Sequence, residues 1–209
     1  RRLVRAGVDG RIEILPDSFQ GKRLNSPNDL AVRSDGTIWF TDPAYGPVAG
    51  GKELDGNYVF RIDPRSGEVS IASKELTMPN GICLSPGEKT LYVGQGGAGR
   101  YIKRFKIHED GTLAAGEVLC VIEGGVPDGL KCDRDGNLYV AGTGGVQIFA
   151  PDGQPVATIR VPPTAAERPR VTNLCFGGEG GKVLFITARS SLFRIGLKVA
   201  GHFPGASRQ

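Results

Sequence analysis

One pattern recurs four times along the chain, and it limits what the chain can fold into. The copies are "PNDLAVRSDGTIWF" at Asn28, "PNGICLSPGEKTLYV" at Asn80, "PDGLKCDRDGNLYV" at Asp128 and "NLCFGGEGGKVLFI" at Asn173. Each is an Asn or Asp, a short apolar run, a Gly-containing turn and a second apolar run. The intervals are 52, 48 and 45 residues, from 28 to 80, 80 to 128 and 128 to 173. A repeat near 45 residues, with paired strands in each unit, is the signature of a β-propeller with one blade per repeat.

The intervening sequence supplies the outer strands of each blade. "NYVFRI" (57–62), "EVSIAS" (68–73), "RYIKRFKI" (100–107), "EVLCVI" (117–122), "VQIFA" (146–150), "VATIRV" (156–161) and "SLFRI" (191–195) are apolar or alternating runs bounded by turn residues. Each unit thus offers about four strands. With 32 Gly and 14 Pro among 209 residues, the composition suits many turns and disfavours long helices. Residues 1 to 24 add one hairpin, "RLVRA" and "RIEIL", which reads as the outer half of a blade. The expectation is one all-β domain over residues 1–209, a partial propeller of about four and a half blades. An open arc leaves a strand edge uncovered, so the sequence reads as the C-terminal two-thirds of a longer chain.

Charge and cysteine content exclude several function classes. The net charge of +4 is scattered over the repeats without a basic block, which argues against nucleic-acid binding. No run of 18 apolar residues suggests a membrane span. Cys83, Cys132 and Cys175 fall in first strands and Cys120 in an outer one, without metal-site spacing. They read as buried core residues, which favours a reducing, cytoplasmic setting. "GQGGAG", Gly94 to Gly99, matches the dinucleotide fingerprint, but the β pattern "RYIKRFKI" follows it where a helix is required. It reads as a connector.

In a propeller, equivalent loops of all blades converge at one end of the central axis. Asn28, Asn80, Asp128 and Asn173 are therefore expected to form a ring. Their oxygens suit a hard cation such as Ca²⁺. The only histidines, His108 and His202, lie in a charged turn and in the tail, which disfavours zinc or copper. Without further information these residues could equally cap strand ends. Asp42 and Tyr45 of "TDPAYG" follow a second strand and are expected on the opposite face.

The stretches "LNSPNDLAVRSDGTIWFTDPAYG", "MPNGICLSPGEKTLYVG", "VPDGLKCDRDGNLYVAGTGGVQIF" and "NLCFGGEGGKVLFITARSSLFRI" together resemble the senescence marker protein/gluconolactonase family of six-bladed propellers. The resemblance runs in order along essentially the whole chain. It implies one divalent cation, usually Ca²⁺, on the axis, with Asn80 and Asp128 as metal ligands. It also implies that Asn28 contacts substrate, metal or metal-bound water, with Asn173 in the next blade as a further candidate. The family's remaining ligand is a glutamate in a first-blade segment that this sequence does not contain, and Glu13 lies in an outer strand. Animal members carry an arginine two residues before the "ND" asparagine, where Ser26 stands here.

The resemblance implies a Ca²⁺-dependent lactonase. The cation would polarise the lactone carbonyl, Asp128 would hold it and serve as general base, or as nucleophile in related phosphoesterase-type members, and Asp29 would take a turn or supporting role. An organophosphate or ester hydrolase on the same site, and a non-catalytic ligand-binding propeller, are the alternatives. The expected partners are a small lactone or ester substrate, with no nucleic acid and no membrane. The assembly is expected to be a monomer or a small homo-oligomer.

Overall fold

The computed structural model describes residues 1–45, 51–163 and 170–203. Two short hairpins come first: β1 (Val4–Ala6) pairs β2 (Ile12–Ile14), and β3 (Ser18–Phe19) pairs β4 (Lys22–Arg23). The first four-stranded blade is β5 (Leu30–Val32), β6 (Ile38–Asp42), β7 (Tyr58–Ile62) and β8 (Val69–Ser73). The second is β9 (Pro79–Leu84), β10 (Thr90–Gln95), β11 (Tyr101–Lys106) and β12 (Glu117–Val121). The third is β13 (Leu130–Cys132), β14 (Leu138–Gly142), β15 (Gly145–Phe149) and β16 (Pro155–Arg160). The fourth is β17 (Val171–Gly177), β18 (Val183–Ala188) and β19 (Ser191–Gly196). Every pairing is antiparallel between strands consecutive in sequence, and the inner strands β5, β9, β13 and β17 stand side by side in chain order. This is the all-β propeller that the repeat predicts.

The fourth blade departs from the expected four strands, since among the described residues it has three. The β3–β4 pair has no counterpart in the sequence reading. Among the described residues a single 3₁₀ turn, Glu179–Gly181, interrupts the strands, and no helix is long and apolar enough to cross a membrane.

Packing between blades explains why the strands read as apolar runs. Successive side chains of a strand point to opposite faces, and the second and third blades have a neighbouring blade on both. On β6, Trp39 enters the cluster shared with Ile82, Leu91 and Phe105 of the second blade. Its neighbour Phe40 turns the other way, to Leu3, Leu24 and Phe60. Between the second and third blades the contact is made by Cys83, Tyr92, Ile102, Leu130 and Val140. Between the third and fourth it is made by Val146, Leu174, Phe176 and Leu184. Each fully buried large side chain contributes roughly 1.5–3 kcal/mol relative to exposure. Cys83, Cys120 and Cys132 are buried as expected, but Cys175 is exposed. Leu174 and Phe176 take the core-facing positions of β17, and alternation turns Cys175 away from them.

The hairpin turns are set by glycine. Gly36 and Gly136 hold φ of 92° and 86°, in the left-handed region where a Cβ is strained. Their N–H groups close the turns onto Arg33 O and Asp133 O at 2.9 and 3.1 Å.

Candidate metal and substrate site

Strand register defines which residues are equivalent at the start of each inner strand. Leu30 pairs with Phe40, Ile82 with Val93, Leu130 with Val140 and Leu174 with Ile186. Counting back two residues gives Asn28, Asn80, Asp128 and Thr172. The first three occupy the equivalent places expected of them. Asn173 does not: it matches Asp29, Gly81 and Gly129, one residue later. A register shift between Val171 and Asn173 accompanies the slip. The Thr172 hydroxyl is engaged by Thr187, 3.1 Å between the two Oγ1 atoms. The Asn173 carboxamide oxygen accepts the N–H of Leu174 at 2.8 Å.

Asn80 and Asp128 are brought together. Asn80 is 5% exposed and its Nδ2 donates to Pro127 O at 3.0 Å, so its side chain reaches across to the third blade beside Asp128. The close approach needs glycine: a Cβ on Gly81 would lie 1.9 Å from Asp128 O. Asn28 stays exposed, with its backbone N–H on Thr41 O at 2.9 Å. Asp29 accepts from Leu30 N–H at 2.9 Å and from Ile82 N–H at 3.2 Å. Its carboxylate therefore fastens the first blade to the second.

Asp42 and Tyr45 were expected at the opposite end, and the structure corrects that. In an antiparallel hairpin the end of the second strand lies beside the start of the first, so residues after β6 emerge at the Asn28 end. Asp42 is fully buried, and its Oδ2 accepts Asn25 N–H at 2.7 Å. Burial pushes its carboxyl up to about 6, against the backbone N–H groups of Asn25 and Ser26. Tyr45 reaches further in. A Cβ built on Gly96 would lie 2.0 Å from the Tyr45 hydroxyl and 3.2 Å from Asn80 Nδ2.

Among the residues that head the inner strands, Asp128 carries the raised carboxyl. Burial raises its carboxyl to about 6 and the Asp29 charge adds to this, while Arg170 and Asn80 pull it back. Burial also raises Tyr45, with a contribution from the Asp128 charge, and Arg170 again opposes it. Arg170 escaped the sequence reading. By register it stands two residues before Thr172, as Ser26 does before Asn28, and its backbone bridges Thr143.

Two further observations bear on a cation. Asn80 Oδ1 and the Tyr45 hydroxyl are both out of solvent without a hydrogen-bond partner. Burying such oxygens unpaired is unfavourable. An orphaned amide oxygen beside a half-buried carboxylate fits a hard, oxygen-seeking divalent ion. Among the described residues no three His, Cys, Asp or Glu cluster as a metal site, so the donor set depends on the amide.

The fold and this axial cluster define a β-propeller whose candidate site lies at the starts of its inner strands. The profile of the SMP-30/Gluconolactonase/LRE-like region matches residues 2–190, and the chain belongs to that family. It is 35% identical over 201 residues to a gluconolactonase of Zymomonas mobilis, covering 90% of this chain and 55% of the relative. It is 29% identical over 197 residues to the diisopropyl-fluorophosphatase of Loligo vulgaris, covering 86% and 60%. A solved gluconolactonase of Xanthomonas campestris superposes with a TM-score of 0.84 at 35% identity, covering 94% of this chain and 65% of that one. The chain spans about half the length of the first curated relatives it matches.

Proposed function

We propose that this chain carries the catalytic site of a metal-dependent lactonase that opens a sugar lactone or a related cyclic ester. The observation that carries the reading is the orphaned Asn80 Oδ1, on a side chain that lies against the half-buried Asp128 carboxylate, in a chain similar to gluconolactonases over nine-tenths of its length.

Asn80 and Asp128 would hold the divalent cation, Ca²⁺ by the hardness of their oxygens. Asn28 and Asn173 would line the approach for substrate or for metal-bound water. Once bound, the ion would supply Lewis-acid polarisation of the lactone carbonyl. The remaining work falls to the protein's own groups. Water adds to the carbonyl carbon, and its proton passes to the Asp128 carboxylate. A bound cation would lower the basicity that burial gives this carboxylate in the metal-free protein. The ring C–O bond then breaks, and the same proton moves from Asp128 to the departing ring oxygen. The product is an open hydroxy acid and Asp128 is again ionised. Arg170 supplies positive charge facing the oxygen on which negative charge develops.

The test is hydrolysis of D-glucono-1,5-lactone followed by acid release in a pH-stat. The expected result is calcium-dependent turnover that falls at least about 100-fold in Asp128→Asn. Equal turnover in Asp128→Asn would remove the base role. The similarity to diisopropyl-fluorophosphatase supports a second reading, in which the same cluster cleaves a phosphorus ester. Fluoride release from an organophosphorus fluoride, with no lactone turnover, would favour it.

A further inference from the structure

We infer that the Tyr45 hydroxyl is a substrate-contacting hydrogen-bond donor, seated in a cradle made by Gly96 and aimed at the ester group beside Asp128. This rests on the lactonase reading above.

The cradle comes from the segment that resembles a dinucleotide fingerprint. Gly96 N–H bonds to Met78 O at 2.8 Å. The buried Gln95 side chain accepts from Met78 N–H at 3.1 Å and donates to Thr77 Oγ1 and to Ala98 O. This fixes residues 95–98 against the start of the second blade. Tyr45 is held from the other side. Ser26 Oγ donates to Pro43 O at 2.6 Å, and Ala44 N–H donates to Asn57 Oδ1 at 3.2 Å. Asn57 Nδ2 in turn donates to Thr77 O at 2.7 Å. Both halves are thus tied to the same backbone at Thr77 and Met78.

With Tyr45 in this position no side chain larger than hydrogen fits at position 96. Its Cβ would fall 2.0 Å from the Tyr45 hydroxyl, with Asn80 Nδ2 at 3.2 Å and Met78 O at 3.3 Å. The absent Cβ is the space the hydroxyl occupies. That hydroxyl is out of water and meets no acceptor for its proton at hydrogen-bond geometry, while the Asn80 side chain beside it opposes the burial-driven rise in its pKa. A phenol is protonated at neutral pH and both donates and accepts. A buried, rigidly placed donor without a partner is unfavourable unless a ligand completes it. Its neighbours are Asn80, Asp128 and the charge of Arg170, the groups at which the lactone ester must sit. The acceptor is therefore an ester oxygen of the lactone and not a distant sugar hydroxyl. No proton is transferred, since the O–H bonds to that oxygen and shares its growing charge.

The test compares Tyr45→Phe with the wild type on D-glucono-1,5-lactone and on δ-valerolactone, which has no ring hydroxyls. Loss of one donor to a developing oxyanion lowers kcat about 10- to 100-fold with little change in KM. The expected result is the same fold-loss on both lactones, with calcium affinity by calorimetry within about twofold of wild type. Gly96→Ala should act in the same direction by displacing the hydroxyl, and the double variant should be no worse than Tyr45→Phe alone. Unchanged turnover, or a loss confined to the polyhydroxylated lactone, would overturn the assignment. If the wild type opens neither lactone, the lactonase reading fails. Calorimetric binding of D-glucono-1,5-lactam then decides the role of Tyr45. Binding weakened about 10-fold in Tyr45→Phe supports the contact, whereas equal binding, or none by the wild type, rejects it.

Discussion

The two middle blades and the two flanking ones begin their inner strands differently. In the middle, Asn80 is followed by Gly81 and Asp128 by Gly129. At the flanks, Asn28 is followed by Asp29 and Thr172 by Asn173. Where glycine stands, the neighbouring chain comes within the space of a Cβ: Asp128 O against Gly81, Asn173 Oδ1 against Gly129. That approach buries Asn80 and draws it to Asp128. Where a side chain stands instead, it fills that space and accepts the next N–H of its own strand, Asp29 from Leu30 and Asn173 from Leu174, with Asp29 also accepting from Ile82 of the second blade. The amide of Asn28 is left exposed. One residue position thus separates the blades whose strand starts close on each other from those whose starts stay open.

The comparison can be broken most forcefully at Gly81. Its Cβ would meet backbone, which cannot step aside, so Gly81→Ala should cost about 3 kcal/mol, the upper end for overpacking, in urea denaturation. At Gly129 the first atom met is the Asn173 side chain, at 2.1 Å. Adding Asn173→Gly should therefore recover part of the loss in Gly129→Ala, and no single side-chain truncation should do so for Gly81→Ala.

A smaller effect separates the ends of the second strands, where the first blade has Asp42 and the second has Gln95. Burial raises Asp42 from 3.8 to about 6, so folding favours its protonated form. Stability from this group is then complete below about pH 4 and lost as pH rises through 6, by about 2–3 kcal/mol. Asp42→Asn keeps an acceptor for Asn25 and should flatten that decline in denaturation curves taken from pH 4 to 7. An unchanged pH profile would mean that Asp42 does not carry the raised carboxyl. Smallest of all, Asn28→Ala should weaken calcium binding by less than about 10-fold, against about 100-fold for Asn80→Ala, in parallel titrations.

Much of this was legible before any coordinates. Strand alternation and turn glycines are local, so "TIWF", "TLYV", "NLYV" and "VLFI" declare the second strands, and their spacing declares the blades. The slip at Asn173 arose from matching residue type in place of register. The asparagine there sits beside an irregular step in β17, and the equivalent residue is a threonine. Tyr45 was misplaced although antiparallel geometry alone puts the end of β6 beside the start of β5. Its seat on Gly96 could not be read, because two glycines in "GQGG" look alike until a neighbour's hydroxyl fills the place of one Cβ. Arg170 was illegible for a similar reason, since nothing local marks a cation that acts across to Asp128.

The central claim is that Asn80 and Asp128 form one cation site at the head of the two middle blades. Calcium titration by calorimetry on wild type and Asp128→Ala tests it most directly. The account predicts one site in the wild type, weakened at least about 100-fold in a folded Asp128→Ala protein. Equal affinity in the two, or no calcium binding by a folded wild type at millimolar concentration, would contradict it.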